Sequence, residues 1–565
     1  MKRFVHIICL CALSALAIFG QQAPADLVLV NGKVFTSDLT KPFAEAVAIR
    51  GERIVAIGTS AEIETLAGAK TRRIDLQGRT VVPGFNDAHF HFMPDPKGFN
   101  LQFKTMEPSW QETSVAVAQA VKQTPAGTWI FGRVGRDVVL NEQVTRFALD
   151  RLAPDHAVLL RAYYGHGYVL NSKAMPLLQI TEEEPDPMGG FYERVKGAGD
   201  PKKINGRLWE YAEWKPNRIL VNQVSDEDAI TDLRQMADQA VRFGITSMQI
   251  FPSMSVDRFA RLLVKADLPI RVRAIPFSTT YPTGRDLSEI RQLGDLKFPQ
   301  AKVTVSGMKW ILDGTPIERG AALRRDYEDR AGWRGKLNFP ETEIAAMVKE
   351  SLDFKQQLLV HAVGDKTIQA VFDAMDKYPK VVWNSKRVRI EHGDGMIDDL
   401  VTRARKLGVI VVQNPTHFSE PELFHQRWGT KMFPLRSLIE AGLPVALGSD
   451  GPMNPFLNIM LATIHPYNPR EAITREQAVR AHTYWSAFAE FAETEKGTIS
   501  KGELADLAVL SQDIFTVPVP ELPKTKSVMT LVGGKIVYDA KSFAGLSSSE
   551  AEKLLKKMGT PHNNK

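Results

Sequence analysis

EIAAMVKESLDFKQQLLVHAVG, Glu343–Gly364, reads as a helical pattern followed at once by a short apolar run that ends in an ionisable residue, His361. The same unit recurs along the chain. DAITDLRQMADQAVRFG precedes ITSMQIF, VDRFARLLVKAD precedes PIRVRAIPF, and RVRIEHG, GVIVVQNP and LPVALGSDGP follow further on. Helix then strand, repeated, predicts parallel β/α units. Several of the apolar runs stop at a polar or ionisable side chain, which is where a (β/α)8 barrel carries its chemistry, at the C-terminal face. An open doubly wound sheet would alternate in the same way, but no G-x-G-x-x-G follows an early strand.

Outside this repeat the two chain ends are β-rich. ADLVLVNGKVFTSD and EAVAIRGERIVAIG are each broken at a glycine turn, Asn31-Gly32 and Arg50-Gly51, that suits a hairpin. ADLAVLSQDIF and KSVMTLVGGKIVYDA repeat that character near the other end, around Gly533-Gly534. The expected architecture is therefore an α/β fold: a (β/α)8 TIM barrel with a small β-sandwich formed by both chain ends and an insertion capping the barrel. Expected spans are residues 26–83 and 503–541 for the sandwich, 84–502 for the barrel, and about 100–232 for the insertion. The segment 542–565 reads as a Ser-capped short helix and a tail.

The chain has 565 residues, 71 basic and 65 acidic, with a pI near 9.0. Both signs are numerous and interspersed, with no long basic run, which excludes nucleic acid as the main partner. MKRFVHIICLCALSALAIFG has the form of a signal peptide: Lys2 and Arg3, then an apolar stretch from Phe4 to Phe19, then an A-x-A pattern from Ala23 to Ala25. Cleavage after Ala25 (residues 1–25) predicts an exported, periplasmic or secreted protein with no stable membrane insertion; an uncleaved N-terminal anchor is the alternative. Cys9 and Cys11, the only cysteines, fall in this leader, so the mature chain has no thiolate for a metal or substrate.

Candidate ligands lie at the ends of apolar runs. PGFNDAHFH, Pro83–His91, places His89 and His91 two residues apart, and on a strand from Thr80 to Asp87 and beyond they share a face with Phe90 opposite. Lys309 in SGMKWILDG, His361 in LLVHAVGD, His392 in RIEHGDG and Asp450 in ALGSDGP complete an ordered series of residue types suited to zinc or a similar cation. Glu391 faces away from His392 and reads as structural. His417 receives no role, and the nine tryptophans are scattered.

VVPGFNDAHFH, GMKWILDGT, LLVHAVGD, RIEHGD, LGSDGP and KGTISKGELADLAVL, taken in order, resemble the amidohydrolase superfamily of metal-dependent hydrolases, in particular its N-substituted formamide deformylase-like branch. The resemblance spans about Asp26 to Asp539. It implies one or two divalent ions, zinc by preference. His89, His91 and Asp450 would hold the first, His361 and His392 the second, and Lys309 would bridge them as a carbamate. DGTPIER after Lys309 departs from the commoner glycine- and serine-rich form.

The implied reaction is hydrolysis of a non-peptide C–N bond, amide or formamide-like, in a small molecule by a metal-activated water. Asp450 would move protons, and His392 or the metal would polarise the carbonyl. Deaminase relatives add a glutamate shortly after the fifth-strand histidine, where this chain has Asp365. Deaminase, metallo-dipeptidase (with Arg161, Arg319 or Arg389 as a carboxylate anchor) and an inactive barrel with a binding or regulatory role are the alternatives. YYGHGYVLNS in the insertion offers Tyr163, His166 and Asn171 as substrate contacts, and a homo-oligomer is left open.

Overall fold

The structure, a computed structural model, describes residues 23–197, 200–293 and 302–540. Eight parallel strands form the barrel: β1 Phe85–Phe92, β2 Ile245–Pro252, β3 Arg271–Ala274, β4 Met308–Ile311, β5 Leu358–Ala362, β6 Arg389–His392, β7 Ile410–Gln413 and β8 Val445–Leu447. Parallel ladders join β1 to β2 to β3 and β4 through to β8. Between β3 and β4 the link is a single parallel bridge, Phe277 to Lys309. The ring closes where the Asp450 N–H donates to the His89 carbonyl at 3.0 Å. Gly448 permits that approach, since a Cβ there would lie 2.5 Å from the His89 backbone nitrogen.

Helices cover the outside of the ring for the reason the sequence pattern implies. Val256–Ala266 starts at Ser255, whose side chain accepts from the Arg258 N–H, and buries Val256, Phe259, Leu262, Leu263 and Ala266. Glu341–Asp353, the helix of the opening quotation, likewise turns Ile344, Met347 and Val348 inward and delivers the chain to β5.

Both chain ends build the sandwich. One sheet is Ala25–Val30, Ala46–Arg50, Arg53–Gly58 and Ala67–Asp75. In the other, Leu507–Leu510 pairs antiparallel with Thr80–Pro83, carrying Ser527–Val532 and Lys535–Asp539 on its far side. Leu29, Val47, Ile49, Val81, Leu507 and Leu531 fill the space between the sheets. Arg50-Gly51 and Gly533-Gly534 are hairpin turns as expected. Asn31-Gly32 is not: Ala25–Val30 and Lys33–Phe35 lie in different sheets, so this turn is a corner that passes the chain across the sandwich. The expected strand through Thr80 and Asp87 also divides, at Gly84, where a side chain would collide with Thr246. Thr80–Pro83 stays in the sandwich and β1 starts the barrel.

The cap is a six-stranded mixed sheet, ordered Gly190–Arg194, Ile204–Glu210, Tyr168–Leu170, Ala157–Ala162, Trp129–Val134 and Phe99–Asn100, with apolar clusters on its faces. Helix Asp226–Arg242 runs unbroken across residue 232 and leads into β2. Among the described residues no helix is long and apolar enough to cross a membrane. The leader through Gln22 and the C-terminal segment 542–565 lie outside the described residues.

Candidate metal centre

β1 alternates as its sequence requires, so His89 and His91 both reach the ring's interior, their Nε2 atoms 3.3 Å apart. Asp450, just past β8, comes within 3.8 Å of His89 Nε2 and 3.7 Å of His91 Nε2. These three form one group with metal-ligand spacing; His392, His417 and Asp450 form a second that shares the carboxylate. Two of these residues sit at positive φ, His392 at 67° and Asp450 at 37°, conformations that cost a non-glycine residue energy and that collect at functional sites.

Neighbouring groups settle which ring nitrogens face inward. His89 Nδ1 lies 2.6 Å from the Glu391 carboxylate, an acceptor, so Nδ1 carries the proton and Nε2 offers its lone pair to the centre. Glu391 is itself held by Arg389, which also donates to the Gln249 side chain and the Ala88 carbonyl. Burial alone would raise the Glu391 carboxyl, but Arg389, Lys309 and His89 hold it well below the usual range. His392 Nδ1 lies 2.9 Å from Asn414 Oδ1. Asp87, one turn of the pleat below His89, accepts from the Ser449 N–H at 2.9 Å and its hydroxyl at 2.5 Å, tying β1 to the loop that carries Asp450.

The charge states suit a cation. Burial pushes His361 and His392 well below the ordinary imidazole range, so both are neutral ligands at pH 7. Burial opposes ionisation of Asp450, yet His89, His91, His417 and Lys309 around it hold its carboxyl down at about 2. Lys309 on β4 is 1% exposed, and its Nζ forms no hydrogen bond, lying 4.7 Å from the centre of the Phe251 ring. Burial brings that ammonium down to about 8. Neutral imidazoles gathered on one ionised carboxylate are a donor set suited to a divalent cation, and Lys309 beside them has a buried nitrogen that no hydrogen bond satisfies. The residues present fit a divalent cation.

His89, His91, His392 and Asp450 thus converge. His361 packs its ring on His392 at 4.5 Å with Nε2 3.4 Å from the Gly314 carbonyl, adjoining both groups without completing either. His166 enters from the cap, its ring 5.1 Å from that of His361. Tyr163 donates its hydroxyl to Glu420 at 2.6 Å, joining cap to barrel. Asn171 directs its side chain to the cap's own backbone, accepting from Val158 and Ala174 and donating to Ala153 and His156. Three residues were not foreseen. His417 stacks on His392 and reaches Asp450 at 3.6 Å, and Glu210 and Glu318 gather around His166. His417 follows the apolar run of β7, the one signal that marked it.

A parallel barrel whose rim assembles histidines and an aspartate into metal-ligating groups is that of a metal-dependent hydrolase acting on C–N bonds other than peptide bonds. Comparison with known proteins agrees. Residues 72–538 match the amidohydrolase family, and the chain belongs to it. It is 26% identical over 543 residues to the N-substituted formamide deformylase of Arthrobacter pascens, covering 91% of this chain and 98% of that protein. It is also 26% identical over 554 residues to Protein LONG AFTER FAR-RED 3 of Arabidopsis thaliana, covering 91% and 92%. Among solved structures, an uncharacterized metal-dependent hydrolase from Pyrococcus horikoshii OT3 superposes with a TM-score of 0.67 at 20% identity, covering 88% of this chain and 99% of that one, a likeness of fold.

Proposed function

We propose that this protein is an exported amidohydrolase that cleaves the amide or formamide-like C–N bond of an N-substituted small molecule. The observation that carries the reading is the convergence of His89, His91, His392 and His417 on one ionised carboxylate, Asp450. The near full-length similarity to a formamide deformylase supports the choice of bond. Export rests on the form of residues 1–25.

His89, His91 and Asp450 would hold one zinc or similar ion, and His361 and His392 a second, with His417 alongside. Lys309, as the carbamate formed with carbon dioxide, would bridge them; its buried, unpartnered Nζ supports that assignment. Bound there, the metal would supply Lewis acidity, polarising the substrate carbonyl and making water acidic enough to react near pH 7. Asp450, ionised above about pH 2, accepts the proton of the attacking water on a carboxylate oxygen and returns it to the leaving nitrogen. His392, through the ion it would hold, would help polarise the substrate carbonyl. Glu391 keeps His89 in the tautomer that presents Nε2.

The test is to assay purified protein for zinc and then for primary amine released from a panel of N-formyl and N-acyl amines, with and without chelation. Chelator-sensitive amine release is expected. A metal-loaded protein that leaves the whole panel intact while releasing ammonia from aminated rings, or amino acids from dipeptides, would replace this reading with deamination or dipeptide hydrolysis.

A further inference from the structure

Beside the metal centre lies a cavity of about 400 Å³ between the cap and the loop that follows β4. Its walls include Phe191, Trp209 and Trp333, and its inner end Glu210 and Glu318. It reaches the centre through Gly314, whose carbonyl faces His361 Nε2, and through Glu210, whose carboxylate lies 2.9 Å from His166 Nδ1. Glu210 is held in place at some cost. Its φ is 56°, in the region glycine favours, and its second oxygen accepts from Asn338 at 2.9 Å. The ligand atoms of His166, Glu210 and Glu318 all lie within 4.8 Å of one another. The Tyr164 hydroxyl, for which Glu318 is the strongest charged neighbour, is buried without a hydrogen-bond partner.

This corner brings more carboxyl groups together than basic ones. Glu210, Glu318 and the buried Glu213, which accepts from the Gly167 N–H, all act on the single imidazole of His166. Burial, with Glu210 alongside and only partly offset by His166, pushes Glu318 up to about 7 and Glu213 well above its usual range, so a cation bound here would favour their ionised forms. The aromatic walls draw cations already: Lys336 Nζ lies 5.7 Å from the centre of Phe191, and the Arg330 guanidinium 5.0 Å from Trp333. Arg319, the other basic wall residue, is neutralised by a two-bonded pair with Asp329.

We propose that the corner of this cavity formed by Glu210, Glu318 and the Trp333 ring binds a positively charged nitrogen on the amine side of the substrate. The preferred substrates are then amides whose leaving amine carries a second, basic nitrogen. Ring faces and carboxylates together bind an organic cation far better than a neutral molecule of the same shape. This assignment rests on the reading of the adjacent centre as a C–N hydrolase, but its test does not require turnover.

The metal-loaded protein is titrated calorimetrically with tetramethylammonium and, separately, with its neutral isostere tert-butanol. Saturable binding of tetramethylammonium is expected, with tert-butanol at least about tenfold weaker, since cation–π and charge contacts are worth on the order of 1–2 kcal/mol. Glu318→Gln, which keeps an acceptor for Thr315, should weaken the cation about fivefold or more, as should Trp333→Leu, which leaves both carboxylates in place. Equal affinity for the two probes, no saturable binding, or variants that bind as the parent does would overturn the proposal. So would loss of one equivalent of metal from Glu318→Gln, which would make the corner a further metal site. Amine-release assays on the same samples report separately on the hydrolase reading.

Discussion

The rim of the barrel and the layer of side chains immediately beneath it are built from the same strands on opposite terms. Below, Arg389, Glu391, Gln249 and Asp87 are fully buried, and each is hydrogen-bonded to another residue of the ring. Above, Lys309 has no partner, His392 and Asp450 occupy unfavourable backbone conformations, and imidazole nitrogens face one another. The difference teaches where the fold's order ends and its chemistry begins. A closed hydrogen-bond network holds the histidines rigid so that the unsatisfied atoms one residue higher stay aimed at a common point.

The comparison breaks first at Asp450. Asp450→Asn should lower kcat on the order of 10³-fold with little change in KM. Steady-state kinetics with metal content measured on the same sample check this, and a metal-replete variant with near-normal kcat would remove Asp450 from the proton path. Next comes the layer beneath. Arg389→Met leaves the Glu391 charge buried beside His89 without its partner, and should cost about 3–5 kcal/mol in urea unfolding, whereas a rim substitution such as His417→Ala should leave stability within about 1 kcal/mol. Similar losses at both positions would mean that the two layers do not differ as described. Glu391→Gln sharpens the link between them: the tautomer of His89 loosens, and affinity for the metal should fall about 10- to 100-fold by competition with a chelator.

The smallest effect concerns a histidine outside the centre. His482 is buried edge-on against Phe85 at the start of β1, and burial pushes it down to about 3. The unfolded chain takes up this proton near 6.5 and the folded one only near 3, so stability is complete above about pH 6.5 and falls as the pH drops. Between pH 6.5 and about 5.5 the loss should be about 1 kcal/mol, and His482→Leu should remove it from the pH dependence of urea midpoints. An unchanged slope in that variant would place the acid sensitivity at the rim histidines instead.

Much of the rim was legible because strand alternation and strand ends leave marks in sequence. His89-x-His91 shares a face by period two, and His361, His392 and Asp450 stand where apolar runs stop. His417 was marked only by following the apolar run of β7, and it lies in the 3-10 turn Pro415–Ser419, where direction depends on packing against His392 rather than on strand alternation. Glu210 and Glu318 meet only because the cap and the loop after β4 are apposed, a tertiary relation without local periodicity. The Asn31-Gly32 turn illustrates the same limit on the fold side. A left-handed residue followed by glycine serves a hairpin and a corner between sheets equally well, and only the partners of the flanking strands distinguish them.

The seam between Leu507–Leu510 and Thr80–Pro83 gives the chain a particular kinetic character. The strand that leads directly into β1 has no complete sheet to join until nearly the whole polypeptide is available, so synthesis from the N-terminus cannot finish this module early. Loop closure over so long an intervening sequence makes docking of the last strands a late event. Products of premature termination before Leu507 are then left with the edge of Thr80–Pro83 that this strand covers open to other chains.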